Sequence, residues 1–425
     1  MIRSNKKNLT TVILLSIFFL LPSKLSAASP TGSSIALYEF EPAVSRNAIE
    51  QLPSTEKSPE LTALLAEPTT KEISLVRVNL DAVKENNKIL SITLPDRQEV
   101  PFVQDYFEIT AEGTTVWAGA PPSDRRQRFP SPSEVKRDPL NMLFIQHYGD
   151  HVRGEIRLAG QAYRLEPAGA GLHALLKVDQ GQTTCEPVTE SDNLPATPAP
   201  TTNRAARSTI TYLIVSTDEA RKKNSLIEER IENSMKFAQR FLDNSDIDIT
   251  FEKAGYYAAT YSENGKTSNT VLRDLRDTSA EPGKSVLAER ERVRADIVIV
   301  AAGLVDGTSY RDARKETAFA LVKTNSVAEE IIHQVGHVLG ADHIWKEGDP
   351  EFEPPYKFGY LMNFMGGTKG SNTLMGQYEN CGGCGMASIF SNPRETYVGH
   401  PTGTVEHNDV ARRFNERRTE VENFY

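Results

Sequence analysis

The segment EEIIHQVGHVLGADH, residues 329–343, sets His333, His337 and His343 at a spacing that suits a metal ion. His333 and His337 are four residues apart, so on a helix they leave the same face. Ser326 and Glu329 stand ahead of the run as S-x-x-E, which predicts a capped helix start. Gly340 sits where a left-handed stop belongs, and the turn it allows returns His343 to the same point. Three neutral imidazoles with a fourth position open are the donors of a catalytic rather than a structural Zn2+ site. One residue disagrees: Gln334 follows the first histidine, where hydrolysis at such a site needs an acid.

Around this helix, residues 208–425 read as one α/β (α+β) unit with a mixed sheet. STITYLIVST (208–217) opens it as a β-branched and aromatic strand, and DIDITFE (246–252), ADIVIVAAGL (295–304) and AFALVKT (318–324) follow as further strands. Between the first two lies a backing helix with Ile227, Ile231, Met235, Ala238 and Leu242 on one face. Ser225 and Glu228 form an S-x-x-E box at its expected start.

Upstream, residues 181–207 are rich in Pro, Thr, Ser and Ala and read as an extended linker. It ends in RAAR, where an exposed basic linker invites a processing protease, so the junction of a propeptide is expected near Arg207. Residues 29–180 alternate apolar and polar positions between Gly and Pro clusters, as a β-rich prodomain would. No chemistry is expected there, since His147, His151 and His173 are scattered. Residues 1–28 carry a basic head, the apolar run VILLSIFFLL and a small-residue exit, the pattern of a signal peptide, and no second apolar span follows. The chain is therefore expected to be secreted and extracellular. A net charge of -9 over 425 residues argues against nucleic acid as the main partner.

Three cysteines remain. Cys381 and Cys384, in CGGC, are too few for a structural zinc site, and in an exported chain they suggest a local disulfide ahead of a redox pair. Cys185 is left over in the linker, where a thiolate would make a good fourth metal ligand and hold a zymogen latent; a free or crosslinking thiol is the other reading.

The pattern H-x-x-x-H-x-x-G-x-x-H resembles the metzincin zinc endopeptidases. TLMGQY (373–378), IFSNP (389–393), YVGHPTGT (397–404) and NDVARRFNERR (408–418) are similar to the C-terminal half of peptidyl-Asp metallopeptidases and related reprolysin-like enzymes, and YRLEPAGAGLHALLKVD (163–179) to their propeptides. The resemblance implies a secreted Zn2+ endopeptidase with protein or peptide substrates, inhibited by its own propeptide. His333, His337 and His343 would be the ligands and Met375 the methionine of the turn beneath the metal, with Met362 its rival. Tyr378 would stabilise the oxyanion, although it lies three residues after Met375 where relatives have two. Cleavage before acidic residues would need a cation, for which Arg394 is the first candidate and Lys357 the second. Relatives sometimes carry calcium, but no segment reads as a calcium loop. The glutamate expected at Gln334 would take a proton from the attacking water and pass it to the leaving amine; an amide cannot. This copy is thus expected to be inactive. Either a single Glu-to-Gln exchange keeps a self-cleaving zymogen intact, the favoured reading, or the chain is a natural pseudoprotease that keeps its metal and binds peptides or inhibitors.

Overall fold

The computed structural model describes residues 33–41, 49, 58–179, 185, 187–188, 206–350, 352–363, 370–376 and 384–425. The signal-like segment 1–28, most of 181–207, Tyr378 and Cys381 lie outside the described residues.

The first sheet has ten strands, beginning with β1 (Ile35–Ala36), β2 (Tyr38–Phe40), β3 (Thr70–Val78), β4 (Ile89–Thr93) and β5 (Glu99–Ile109). It continues with β6 (Thr115–Ala120), β7 (Met142–Tyr148), β8 (His151–Leu158), β9 (Gln161–Gly169) and β10 (Leu172–Val178). Their order is β1-β4-β5-β6-β7-β8-β9-β10-β3-β2. Only Leu37 separates β1 from β2, at opposite ends of that order. Its N–H donates to Ser91 O of β4 (3.0 Å), and its carbonyl accepts from Asn79 N just after β3 (2.8 Å). The chain thereby joins the two edges and the sheet closes on itself, so neither end offers a long open edge. Alternation then sorts the side chains: Phe102, Trp117, Leu143, Ile145 and Leu165 fill the inside, while Val116, Ala118, Met142 and Phe144 point out.

Those outward side chains belong to the core of the second unit. Its sheet comprises β11 (Ser208–Ser216), β12 (Ile249–Ala258), β13 (Ile297–Ala302), β14 (Thr308–Ser309) and β15 (Phe319–Lys323), in the order β12-β11-β13-β15-β14. The first four in that order run parallel, and β14 closes the edge antiparallel to β15. All six residues of β13 are buried because both faces of a parallel strand are covered. Helix α1 (Ile227–Asn244) packs on the sheet through the apolar face read from its sequence. On its other side, Phe237 stacks on Phe144 of β7, ring centroids 4.1 Å apart. Helix α2 (Ala328–Val338) carries the histidines, and α3 (Val410–Val421) packs Phe414 against Phe390. Among the described residues no helix is long and apolar enough to cross a membrane.

Both expected capping boxes are displaced. Leu226, not Ser225, borders α1 and provides no side-chain cap. Asn224 Oδ1 accepts the Leu226 N–H instead (3.0 Å), and Glu228 is drawn to Lys253 of β12 (3.0 Å). At α2 the reach-back comes from Glu330, which accepts the Val327 N–H (3.3 Å). Glu329 turns away to Arg157 of β8 (3.0 Å), a partner 172 positions distant that local spacing cannot reveal. The stop at Gly340 has the expected left-handed backbone, φ +91°.

Candidate metal centre

Helix α2 places His333 and His337 on one face, and the Gly340 turn leads into β16 (Asp342–Ile344), which carries His343. β16 is held by β17 (Phe358–Gly359), with Asp342 opposite Phe358. The three Nε2 atoms converge: His337 lies 3.1 Å from His333 and 3.0 Å from His343, and the third edge is 3.3 Å. Cys185 Sγ completes the cluster, 3.5 Å from His337 Nε2, and all four donor atoms lie within 4.8 Å of one another. The cysteine that sequence left in a linker is buried here.

These donors fit a metal ion, and their hydrogen bonds say why. His333 Nδ1 faces Leu374 O (2.6 Å) and His337 Nδ1 faces Ala341 O (3.0 Å). A carbonyl only accepts, so both Nδ1 atoms carry the proton and both Nε2 atoms present lone pairs to each other. Facing lone pairs repel unless a cation lies between them. Tetrahedral zinc, with bonds of about 2.0–2.1 Å to nitrogen and about 2.3 Å to sulfur, sets N···N edges of about 3.3 Å and N···S edges of about 3.5 Å. Burial holds all three imidazoles below the usual histidine range; neighbouring imidazoles add to this at His337 and His343, and His343 falls to about 2. They are neutral and able to ligate.

Gln334 is bonded at both ends of its amide. Ser309 Oγ donates to its Oε1 (2.9 Å), and its Nε2 donates to Cys185 Sγ (3.1 Å). Ser309 carries no signal in the sequence, because a two-residue edge strand has no periodicity. The same edge seats the cysteine segment: Val188 N–H donates to Ser309 O (2.8 Å), and Arg311 N–H donates to Val188 O (3.0 Å). Residue 188 thus forms an isolated parallel bridge to Tyr310.

Met375 lies under the helix, fully buried; a Cβ on Gly336, between the two helical histidines, would meet its Sδ at 2.7 Å. Met362 packs elsewhere, with Val135, Leu140 and Ile389. Arg394 forks onto Asp409 at the start of α3. Lys357 is buried, with its ammonium over the Phe352 ring (5.5 Å) and its pKa pushed down by burial. Neither cation joins the converging donors. Arg311 pairs with Asp342 (3.0 Å), whose other oxygen accepts the His343 N–H (2.8 Å) and so braces the third histidine from behind. Cys384 is buried and accepts a hydrogen bond from Asn372 Nδ2 (3.1 Å).

Residues of the first unit border the site without joining its donors. Glu155 of β8 accepts the Ala328 N–H at the start of α2 (3.0 Å), and Arg157 is buried against Glu329. A cavity of about 170 Å³ lies between the units beside the metal cluster, with Arg157, Glu329, Glu330, His333 and Gln334 in its wall.

Buried imidazoles whose Nε2 atoms converge with a thiol could hold a metal ion, and three relatives of the chain are metallopeptidases by name. The chain is 28% identical over 408 residues to the peptidyl-Asp metalloendopeptidase of Xanthomonas campestris pv. campestris, covering 91% of this chain and 93% of that protein. It is also 28% identical to the proteins of that name from two strains of Stenotrophomonas maltophilia, over 374 and 378 residues, covering 83% and 84% of this chain and 87% and 88% of theirs. By their names those relatives are metal-dependent endopeptidases. No model of a known protein family matches the chain. Among solved structures, a chaperone–substrate complex aligns with a TM-score of 0.41 and 17% identity over 64% of this chain and 39% of that one. Metalloproteinase-II from Bacteroides fragilis aligns with a TM-score of 0.35 and 10% identity over 61% and 83%.

Proposed function

We propose that this chain is a secreted zinc endopeptidase of the metzincin kind, made as a latent zymogen and silent in its present form. The observation that carries the reading is the convergence of three Nε2 atoms and Cys185 Sγ on one point. Zinc held there would polarise the scissile carbonyl and acidify the attacking water. The chain's own residues do the rest. The edge from Ser309 to Arg311 offers backbone groups to an extended peptide, as it does to Val188. Residue 334 stands beside the ligands, where a carboxylate would accept the water's proton and hand it to the leaving amine. The Gln334 amide can hold a water but cannot take that proton, which lowers the rate about 10²- to 10⁴-fold.

In this reading residues 29–180 are the propeptide, 181–207 the linker that brings Cys185 to the metal, and 208–425 the catalytic domain. The Cys381–Cys384 disulfide and export by residues 1–28 belong to the same proposal. So does cleavage before acidic residues. For that, Lys357 is better disposed than Arg394, since it neighbours Phe358, the partner of Asp342, while Arg394 is committed to Asp409. The pseudoprotease alternative draws on one observation, that the Gln334 amide is satisfied at both ends.

Restoring the acid with Gln334→Glu and cutting the chain near Arg207 separates the two. The endopeptidase reading expects about one zinc per chain, casein cleavage by the restored protein and a chelator-sensitive rate. A folded, zinc-loaded, restored protein that cleaves nothing establishes the pseudoprotease instead.

A further inference from the structure

Position 334 does more in this chain than lack a proton acceptor. We propose that Ser309 and Gln334 form a polar relay that locks Cys185 onto the metal centre, so that the residue at 334 sets how tightly the latent state is held. The inference rests on the metal-site reading above and concerns the regulation of that site.

Direction decides the contact. An amide has one accepting and one donating end, and which end faces the cysteine depends on what fixes the other. A metal-bound Cys185 Sγ only accepts, so the amide turns Nε2 toward it (3.1 Å) and leaves Oε1 to accept from Ser309 Oγ (2.9 Å). All three residues are buried, Ser309 completely, so these bonds lie in low-dielectric surroundings, with Gln334 and Cys185 also bordering the cavity. A sulfur bound to a metal is a thiolate, an acceptor only, and an N–H is its complementary neighbour. A carboxylate at 334 offers no N–H and would set a negative charge against the sulfur. The closed state is therefore matched to Gln, and a Glu there would favour release of Cys185 as well as catalysis.

Backbone contacts add a second fastening. Val188 bridges the same edge that carries Ser309, with bonds of 2.8 and 3.0 Å. Ser309 thus holds the segment twice, through its carbonyl to Val188 and through its hydroxyl by way of Gln334. Loss of the hydroxyl removes only the second hold.

The test is the rate at which Cys185 is alkylated by iodoacetamide in the purified, zinc-loaded full chain, followed by peptide mapping. Ser309→Ala should speed the reaction about threefold to tenfold, the effect of losing one buried hydrogen bond, and Gln334→Glu should speed it more. Gln334→Leu, which keeps the bulk without the amide, guards against a folding artefact and should match Ser309→Ala. In the cobalt-substituted protein, the thiolate-to-cobalt absorption should weaken in the same order. Unchanged alkylation in all three variants at full zinc content overturns the relay and leaves the metal site standing. A folded parent chain that binds no zinc or cobalt overturns both.

Discussion

At the scale of single residues, the metal cluster depends on two positions that carry no donor atom. Gly336 lets Met375 approach the helix between its two histidines, and Gly340 turns the chain so that His343 arrives. The second has the sharper consequence. Its φ of +91° disfavours any side chain, and a Cβ there would meet Arg413 Nε and Asp312 Oδ1, each at 2.7 Å. Gly340→Ala should cost about 1–3 kcal/mol of stability and displace His343, so zinc retention during dialysis against a chelator should fall with the thermal midpoint. A variant that melts lower but keeps zinc like the parent would detach the turn from the site. Both the histidines and this glycine are legible in sequence because helix period and left-handed stops are local rules. Ser309 is not, since its role depends on an edge strand of two residues and on a cysteine 124 positions away in the chain.

Among elements, the start of α2 shows where local reading stops. The sequence contains an S-x-x-E pattern there, yet the helix uses Glu330 and leaves Glu329 to Arg157. β13 and the apolar face of α1 follow from sequence because periodicity and burial agree within one element. Partner choice across elements follows charge that only the packed structure brings together. Burial, and then the nearby Glu329, push the Glu155 carboxyl up to about 8 from its ordinary 4.5. A raised carboxyl pKa means that the packed state binds a proton which the unfolded state has released. Its contribution is therefore fully present below about 4.5 and is lost as pH rises toward 8. Glu166 runs the other way: burial opposes it, but Arg230, Arg164 and Arg153 hold it down to about 2, so its contribution is present above 4.5 and fades as pH falls toward 2. From about pH 5 to pH 8 the Glu155 share of stability should therefore decline, while the depressed imidazoles of His173, His333, His337 and His343 work the other way and take stability away as pH falls below their ordinary 6.5. Glu155→Gln should flatten that decline in a thermal melt series, and an unaltered slope would assign it to other groups.

For the whole molecule, the two sheets share more than a tether. Val116, Ala118, Met142 and Phe144 of the first unit belong to the core cluster of the second, and Phe144 stacks on Phe237. Buried ion pairs cross the same boundary, Arg157 with Glu329 at 3.0 Å and Arg230 with Glu166 at 3.1 Å. Removing one partner of such a pair leaves an uncompensated buried charge and costs about 3–5 kcal/mol, so the boundary is expensive to open one contact at a time. A single cut between the units should therefore not release the first from the second. Limited proteolysis within residues 189–205 followed by gel filtration should give one peak containing both fragments at neutral pH. Arg157→Ala with Phe144→Ala, which removes one ionic and one aromatic anchor, should split that peak into two. If the nicked parent chain already separates, neither the shared core nor Cys185, which stays on the first fragment, holds the units together, and the covalent linker must account for the closed state.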